Sequence, residues 1–178
     1  MASGKSSVAR ALAKRLKCEA TDVDTLIENA AGKTIPAIFA EDGEDEFRRL
    51  ETKQLKAALE YSQPARVIAT GGGIVTRAEN RIVLQDAAAA GVLVVYLRAS
   101  SEVLARRIRR QPGTRPLIDG GKILNLAQTR ARVEELLAER APLYESVANL
   151  VIESDEMRSP QATAHKIHQT LNAPKSNI

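Results

Sequence analysis

The 178-residue sequence predicts an α/β fold, a parallel sheet with helices on both faces and three layers in all. Three observations lead there. Short runs rich in Val, Ile and Leu alternate with longer stretches of helical spacing. Glycines punctuate the junctions between them. The run VLVVYL is continuous rather than alternating, which predicts a strand covered on both faces.

Each element has its own signal. SSVARALAKRL carries Val8, Leu12 and Leu16 at helical spacing, and this helix begins at Gly4-Lys5-Ser6. KCEATDVD holds a brief strand ending at Asp22. DTLIENAAGK is a short helix stopped by Gly32. The stretch from Ile35 to Tyr61 reads as two helices broken at Gly43, the second with Phe47, Leu50, Leu55 and Leu59 on or near one face. ARVIAT is a strand that runs into Gly71-Gly72-Gly73. RAENRIVLQDAAAAG is helical to Gly91, and VLVVYL follows as the third strand. SSEVLARRIRR opens with a serine cap and Glu102 in its first turn. Prolines and glycines make QPGTRPLIDGGK a loop. LNLAQTRARVEELLAERAPLY is a long amphipathic helix with Pro142 near its end. LVIES is the fourth strand, and SPQATAHKIHQTL is a last helix with Pro160 near its start. One domain over residues 1–172 is expected, with a frayed tail at 173–178.

Composition limits the function classes. Hydrophobic residues are 44% and charged residues 27%, an ordinary globular balance. No apolar run approaches the roughly 20 residues that span a bilayer, and no apolar segment follows Met1, so neither a membrane partner nor a secretory signal is expected. Cys18 is the single cysteine, which excludes an internal disulfide and points to the cytoplasm. The net charge of +4 and pI of about 9.4 raise the question of nucleic acid. With 3% aromatic residues and no Trp, stacking platforms are scarce, so no nucleic-acid partner is expected. Alternating charges on the helices are read as solvated faces, and the surplus arginines as ligands for small anions. His165 and His168 have no acidic or Cys neighbour and are read as structural. A monomer is expected.

Several stretches carry chemistry. Ser3-Gly4-Lys5-Ser6-Ser7 places a glycine at a helix start, where backbone N–H groups and the helix dipole favour a phosphate. Lys5 would reach the β- and γ-phosphates, and Ser6 would hold Mg²⁺. Asp22 and Asp24 lie at a strand end, where ligands of open α/β sheets bind. One carboxylate there can face a metal and the other an acceptor hydroxyl; an N-cap role for Asp24 is the plain alternative. Three consecutive glycines cost entropy unless φ is positive or something approaches closely. Arg48 in EFRRLE and Arg140 in ERAPLY are of the type that binds a carboxylate bidentately, while Arg49 suits solvent. RRQPGTRPLIDGG is a basic loop able to bring an arginine to a transferring phosphoryl group.

In order and spacing, SGKSSVARALAKRL, DVDTLIE, IFAEDGEDEFRRLE, GGGIV, RPL and ERAPLY resemble the shikimate kinase family over nearly the whole chain. The triple glycine with EFRRLE and RAPLY is far more specific than Gly-Lys-Ser. The resemblance implies a phosphate-loop kinase fold and ATP- and Mg²⁺-dependent phosphorylation of the 3-hydroxyl of shikimate, in aromatic amino-acid biosynthesis. It implies that Asp22 acts on the Mg²⁺ side, and that Asp24 holds shikimate hydroxyls and accepts the proton. Arg48 and Arg140 would clamp the carboxylate. Gly71, Gly72 and Gly73 would line the acceptor, and Phe39 and Phe47 would supply an apolar wall. Arg115 would be the lid arginine, in a lid at about 110–123, with the acceptor region at about 24–60. Arg107, or Arg106 beside it, would pack on adenine.

The family has an apolar strand and a further glycine ahead of this point, in the centre of the sheet. Neither stands before Met1, so the resemblance predicts a gap with unpaired strand edges on both sides, and a record that is short at its N-terminus. Gluconate kinases share the loop and the size, but their acceptor motifs are absent. A non-catalytic ATP-binding remnant is the alternative of a different class. No N-K-x-D stretch reads guanine.

Overall fold

A computed structural model describes residues 2–60, 65–110, 124–155 and 159–172. Helix α1 spans Lys5–Leu16 and leads into strand β1, Glu19–Asp22. Then come α2 (Val23–Ala31), α3 (Ile35–Glu41) and α4 (Gly43–Glu60). Strand β2 is Arg66–Ala69, followed by a 3-10 turn at Ile74–Thr76 and α5 at Ala78–Ala89. Strand β3 is Val95–Arg98, α6 is Ser101–Ile108 and α7 is Leu126–Glu145. Strand β4, Leu150–Glu153, and α8, Pro160–Asn172, complete the order. Every element expected in these residues is present.

The local chemistry sets the boundaries. Gly32 ends α2 in the left-handed conformation, its N–H bonded to the Glu28 carbonyl. Gly43 also has positive φ, which separates α3 from α4. Ser100 caps α6. Asn125 and Gln128 form a reciprocal capping box on α7.

The strands are parallel but form two pairs rather than one sheet. β1 pairs with β2 from Glu19↔Arg66 to Asp22↔Ala69, and β3 pairs with β4 from Val95↔Leu150 to Arg98↔Glu153. Among the described residues, the opposite edges of β2 and β3 have no strand partner. Between them lies an apolar cavity of about 460 Å³, bordered by Val67, Ile68, Val95 and Leu97. This explains why β3 differs from the expected strand: only Leu97 is fully buried, and Val95 and Tyr96 are half-buried.

The three layers follow from strand alternation. Val67 of β2 and Val95 and Leu97 of β3 pack with Val8, Leu12, Ala164 and Ile167 of α1 and α8. Ile68 turns the other way, onto Val23, Ile27, Ile38 and Phe47 of α2, α3 and α4. Cys18 is half-buried. His165 pairs with Arg15 at 2.9 Å, and His168 contacts Asn172. Many arginines pair along their own helices, such as Arg49 with Glu46 and Arg130 with Glu134, which are the solvated faces expected.

Candidate active site

Gly4 opens α1 with φ 89°, a left-handed conformation that other residues rarely adopt. No side chain caps this end, and the first turn has no acidic residue. Among the described residues no side-chain cap bond closes the first turn of this 12-residue helix, the arrangement that receives a phosphate. Ser3, Ser6 and Ser7 surround it, half-buried. Arg107 donates to the Ser3 carbonyl at 3.3 Å and to the Ser154 carbonyl at 3.4 Å, linking this turn to the end of β4. Arg106 lies on the exposed face, paired with Glu102. Of the two, Arg107 is the one brought to the phosphate loop.

The DVD stretch divides its two carboxylates. Asp22, not Asp24, is the N-cap of α2, and its Oδ1 accepts from the Asp24 N–H at 3.1 Å. The helix starts at Val23, directly after β1, so the cap falls two residues earlier than the plain alternative placed it. Asp24 is thereby released from capping, and its Oδ1 lies against the Gly71 backbone. Burial, then the neighbouring Asp22 charge, raises its pKa above the ordinary aspartate range; Lys5 and Arg48 oppose this. Lys5 thus acts electrostatically on the same carboxylate.

Helix α4 buries Arg48, Glu51, Thr52, Leu55 and Ala58, one face at helical spacing. Its upper half is polar. Arg48 Nη1 donates to Glu51 Oε2 at 2.7 Å, and Arg48 Nε and Nη2 donate to Glu44 Oε1 at 3.2 and 3.1 Å. Glu51 is wholly buried, and among the described residues its Oε1 has no hydrogen-bond partner. Burial raises the Glu51 pKa, opposed by Arg48. Sequence reasoning assigned Glu51 no role. Its position three residues after Arg48 was the available signal.

The triple glycine explains itself by crowding. None of Gly71, Gly72 and Gly73 has positive φ, so the conformational reason fails. A Cβ on Gly71 would lie 2.9 Å from Glu51 Oε1 and 3.0 Å from Asp24 Oδ1. On Gly73 it would lie 2.3 Å from Arg48 Nη1. The loop thus presses bare backbone against the Asp24, Glu51 and Arg48 heads. From the other side comes α7. Arg140 is 7% exposed, and among the described residues its Nε has no hydrogen-bond partner. Tyr144, one turn on, donates its hydroxyl to the Gly72 carbonyl. Phe39 and Phe47 meet with centroids 4.7 Å apart and rings tilted by 37°, and the Arg48 guanidinium lies 5.1 Å from the Phe47 ring centroid. Phe47 is a core residue. Arg115 falls outside the described residues, as does the loop at 111–123.

A helix N-terminus opened by a left-handed glycine, together with a cluster of buried arginines, carboxylates and glycines, fits a small-molecule kinase of the phosphate-loop class. The comparisons with known proteins specify which. The shikimate kinase family model matches residues 1–172, and the chain belongs to the shikimate kinase family. A shikimate kinase of Marinomonas sp. (strain MWYL1) is 42% identical over 179 aligned residues, covering 100% of this chain and 90% of that protein. A solved shikimate kinase from Acinetobacter baumannii, in complex with shikimate, superposes with a TM-score of 0.83 at 34% identity, over 99% of this chain and 91% of the other. One from Bacteroides thetaiotaomicron superposes with a TM-score of 0.81 at 27% identity, over 96% and 93%.

Proposed function

We propose that this chain transfers the γ-phosphoryl group of ATP to the 3-hydroxyl of shikimate, giving shikimate 3-phosphate and ADP. One observation carries the reading: Asp24, Glu51 and Arg48 converge on the Gly71–Gly73 backbone, which α7 braces from the other side. A polyhydroxy carboxylic acid suits that set. Its carboxylate suits the arginines Arg48 and Arg140, and its hydroxyls suit Asp24 and the unpartnered Glu51 Oε1. The shikimate held by the Acinetobacter relative supports this choice of acceptor.

Phosphoryl transfer needs alignment and cationic charge more than covalent help. Arg48 and Arg140 orient the acceptor through its carboxylate. Asp24, in its carboxylate form, takes the proton as the acceptor oxygen bonds to phosphorus and the bond to the leaving ADP breaks. Lys5 and the first N–H groups of α1 hold the phosphates, with Ser3, Gly4 and Ser7 shaping the turn. Arg115 is assigned to the same charge, and Arg107 to the adenine side. Ser6 and Asp22 offer hard oxygen donors of the kind Mg²⁺ takes, and that ion would neutralise phosphate charge when bound. Phe39 and Phe47 close the apolar side. Among the described residues no helix is long and apolar enough to cross a membrane, and a cytoplasmic monomer remains part of this reading.

The test is a coupled ADP-release assay on the full-length protein with shikimate and with gluconate. Turnover with shikimate alone is expected. In Arg140→Ala, loss of a charge-assisted bond raises the shikimate KM by roughly tenfold to over a hundredfold, with the ATP KM little changed. Equal small effects on both would remove Arg140 from the acceptor. Preference for gluconate would overturn the substrate.

A further inference from the structure

Tyr144 stands exactly one helical turn beyond Arg140, four residues on, so both side chains lie on the same face of α7. Its hydroxyl donates to the carbonyl of Gly72. Its ring stacks on Tyr96 of β3, with centroids 4.9 Å apart and planes 28° from parallel. The ring is therefore braced by a strand while the hydroxyl reaches the glycine loop. That loop needs an outside brace, because three glycines in succession have no side chains to fix their backbone.

The peptide geometry gives the brace a direction. In a trans peptide the C=O and the following N–H point opposite ways. Holding the Gly72 carbonyl toward α7 turns the Gly73 N–H away from α7. Gly73 is also the glycine pressed against the Arg48 guanidinium. Its neighbours use their N–H groups locally: Ile74 donates to the Gly71 carbonyl at 3.4 Å and Thr76 to the Gly73 carbonyl at 3.0 Å. Among the described residues the Gly73 N–H makes no backbone hydrogen bond.

We propose that Tyr144 is a positioning residue for the acceptor: its hydroxyl fixes the Gly72–Gly73 peptide so that the Gly73 N–H is presented to the bound acid. This rests on the reading of Gly71–Gly73 as acceptor-lining backbone. Burial raises the Tyr144 pKa, which keeps the hydroxyl a donor at neutral pH. Arg140 acts on the same hydroxyl, so one turn of α7 sets both the carboxylate ligand and the loop.

Tyr144→Phe keeps the ring and its stacking and removes only the hydroxyl. In the full-length protein the shikimate KM is expected to rise about two- to tenfold, the size of one neutral hydrogen bond. The kcat and the ATP KM should stay within about twofold. The increase in melting midpoint caused by shikimate should shrink in step with the KM. A lower melting midpoint with both KM values unchanged would make Tyr144 merely structural and overturn the proposal. Arg140→Ala, measured alongside, separates the two failures. If Arg140→Ala raises the shikimate KM and Tyr144→Phe does not, the inference about Tyr144 alone falls. If neither does, the acceptor-pocket reading falls with it.

Discussion

Asp24 shows how a single carboxylate is prepared. Asp22 spends one oxygen on capping α2, and Asp24, two residues on, is left to burial. Because the folded carboxyl has a raised pKa, the native state holds its proton more tightly than the unfolded chain does. Its contribution to stability is favourable below the raised value and turns against the fold as pH rises through it. Above that raised value the ionised carboxylate therefore costs stability. Asp24→Asn is expected to raise the melting midpoint there by about 2–4 °C, the shift that 1 kcal/mol gives in a chain of this size. The same change should lower kcat by about a hundredfold or more if Asp24 is the proton acceptor proposed above. In the unsubstituted protein kcat/KM should fall on the acid side at a pH above the ordinary aspartate pKa, and residual turnover of the variant should lack that limb. A differential melting series with a pH–rate profile checks both. The DVD motif made the two aspartates legible in the sequence. Which one would cap the helix was not, because the choice depended on α2 starting directly at the end of β1.

The glycine loop and helix α4 act as a pair. Along α4 the sequence suggested an apolar stripe through Phe47, Leu50, Leu55 and Leu59, with Arg48 as a ligand for an anion and Arg49 in solvent. The helix turns Arg48 inward together with Glu51, the two paired at 2.7 Å and closely faced by the bare loop opposite. A buried charge is tolerated only when paired, so Arg48 and Glu51 enter the pocket together. Gly73→Ala tests the fit between the two elements. Its φ of −96° is open to any residue, so backbone strain is small. Its new methyl would meet an arginine head that is tied on both sides by Glu44 and Glu51. The shikimate KM is expected to rise at least about tenfold, the loss of one charge-assisted bond, with the ATP KM within about twofold. Steady-state kinetics on both substrates decide it. Three glycines in a row announced close approach, but not that the approaching groups would be the protein's own side chains.

Across the whole molecule, the first and last helices hold the phosphate end together. Ala164 and Ile167 of α8 are buried against Val8 and Leu12 of α1 and Leu97 of β3. Ile167→Ala removes a side chain that is 2% exposed, and by the usual cost of such truncation should lower unfolding free energy by about 2–5 kcal/mol. Denaturant titration gives that number. The same variant should raise the ATP KM more than the shikimate KM if, as proposed, α1 carries the phosphate turn and α4 with α7 the acceptor. The four parallel strands stand as two pairs flanking an apolar cavity, and strand alternation alone assigns their faces to the helical layers. Local sequence determined the elements, their order and the chemical types gathered at the site, because periodicity and glycine conformation act within a few residues. Tertiary structure decided which charges are buried, which aspartate faces the pocket, why Gly71 and Gly73 lack side chains and where Tyr144 directs its hydroxyl. Those outcomes depend on contacts between residues as much as 72 positions apart, where desolvation and crowding, not local propensity, set the energy.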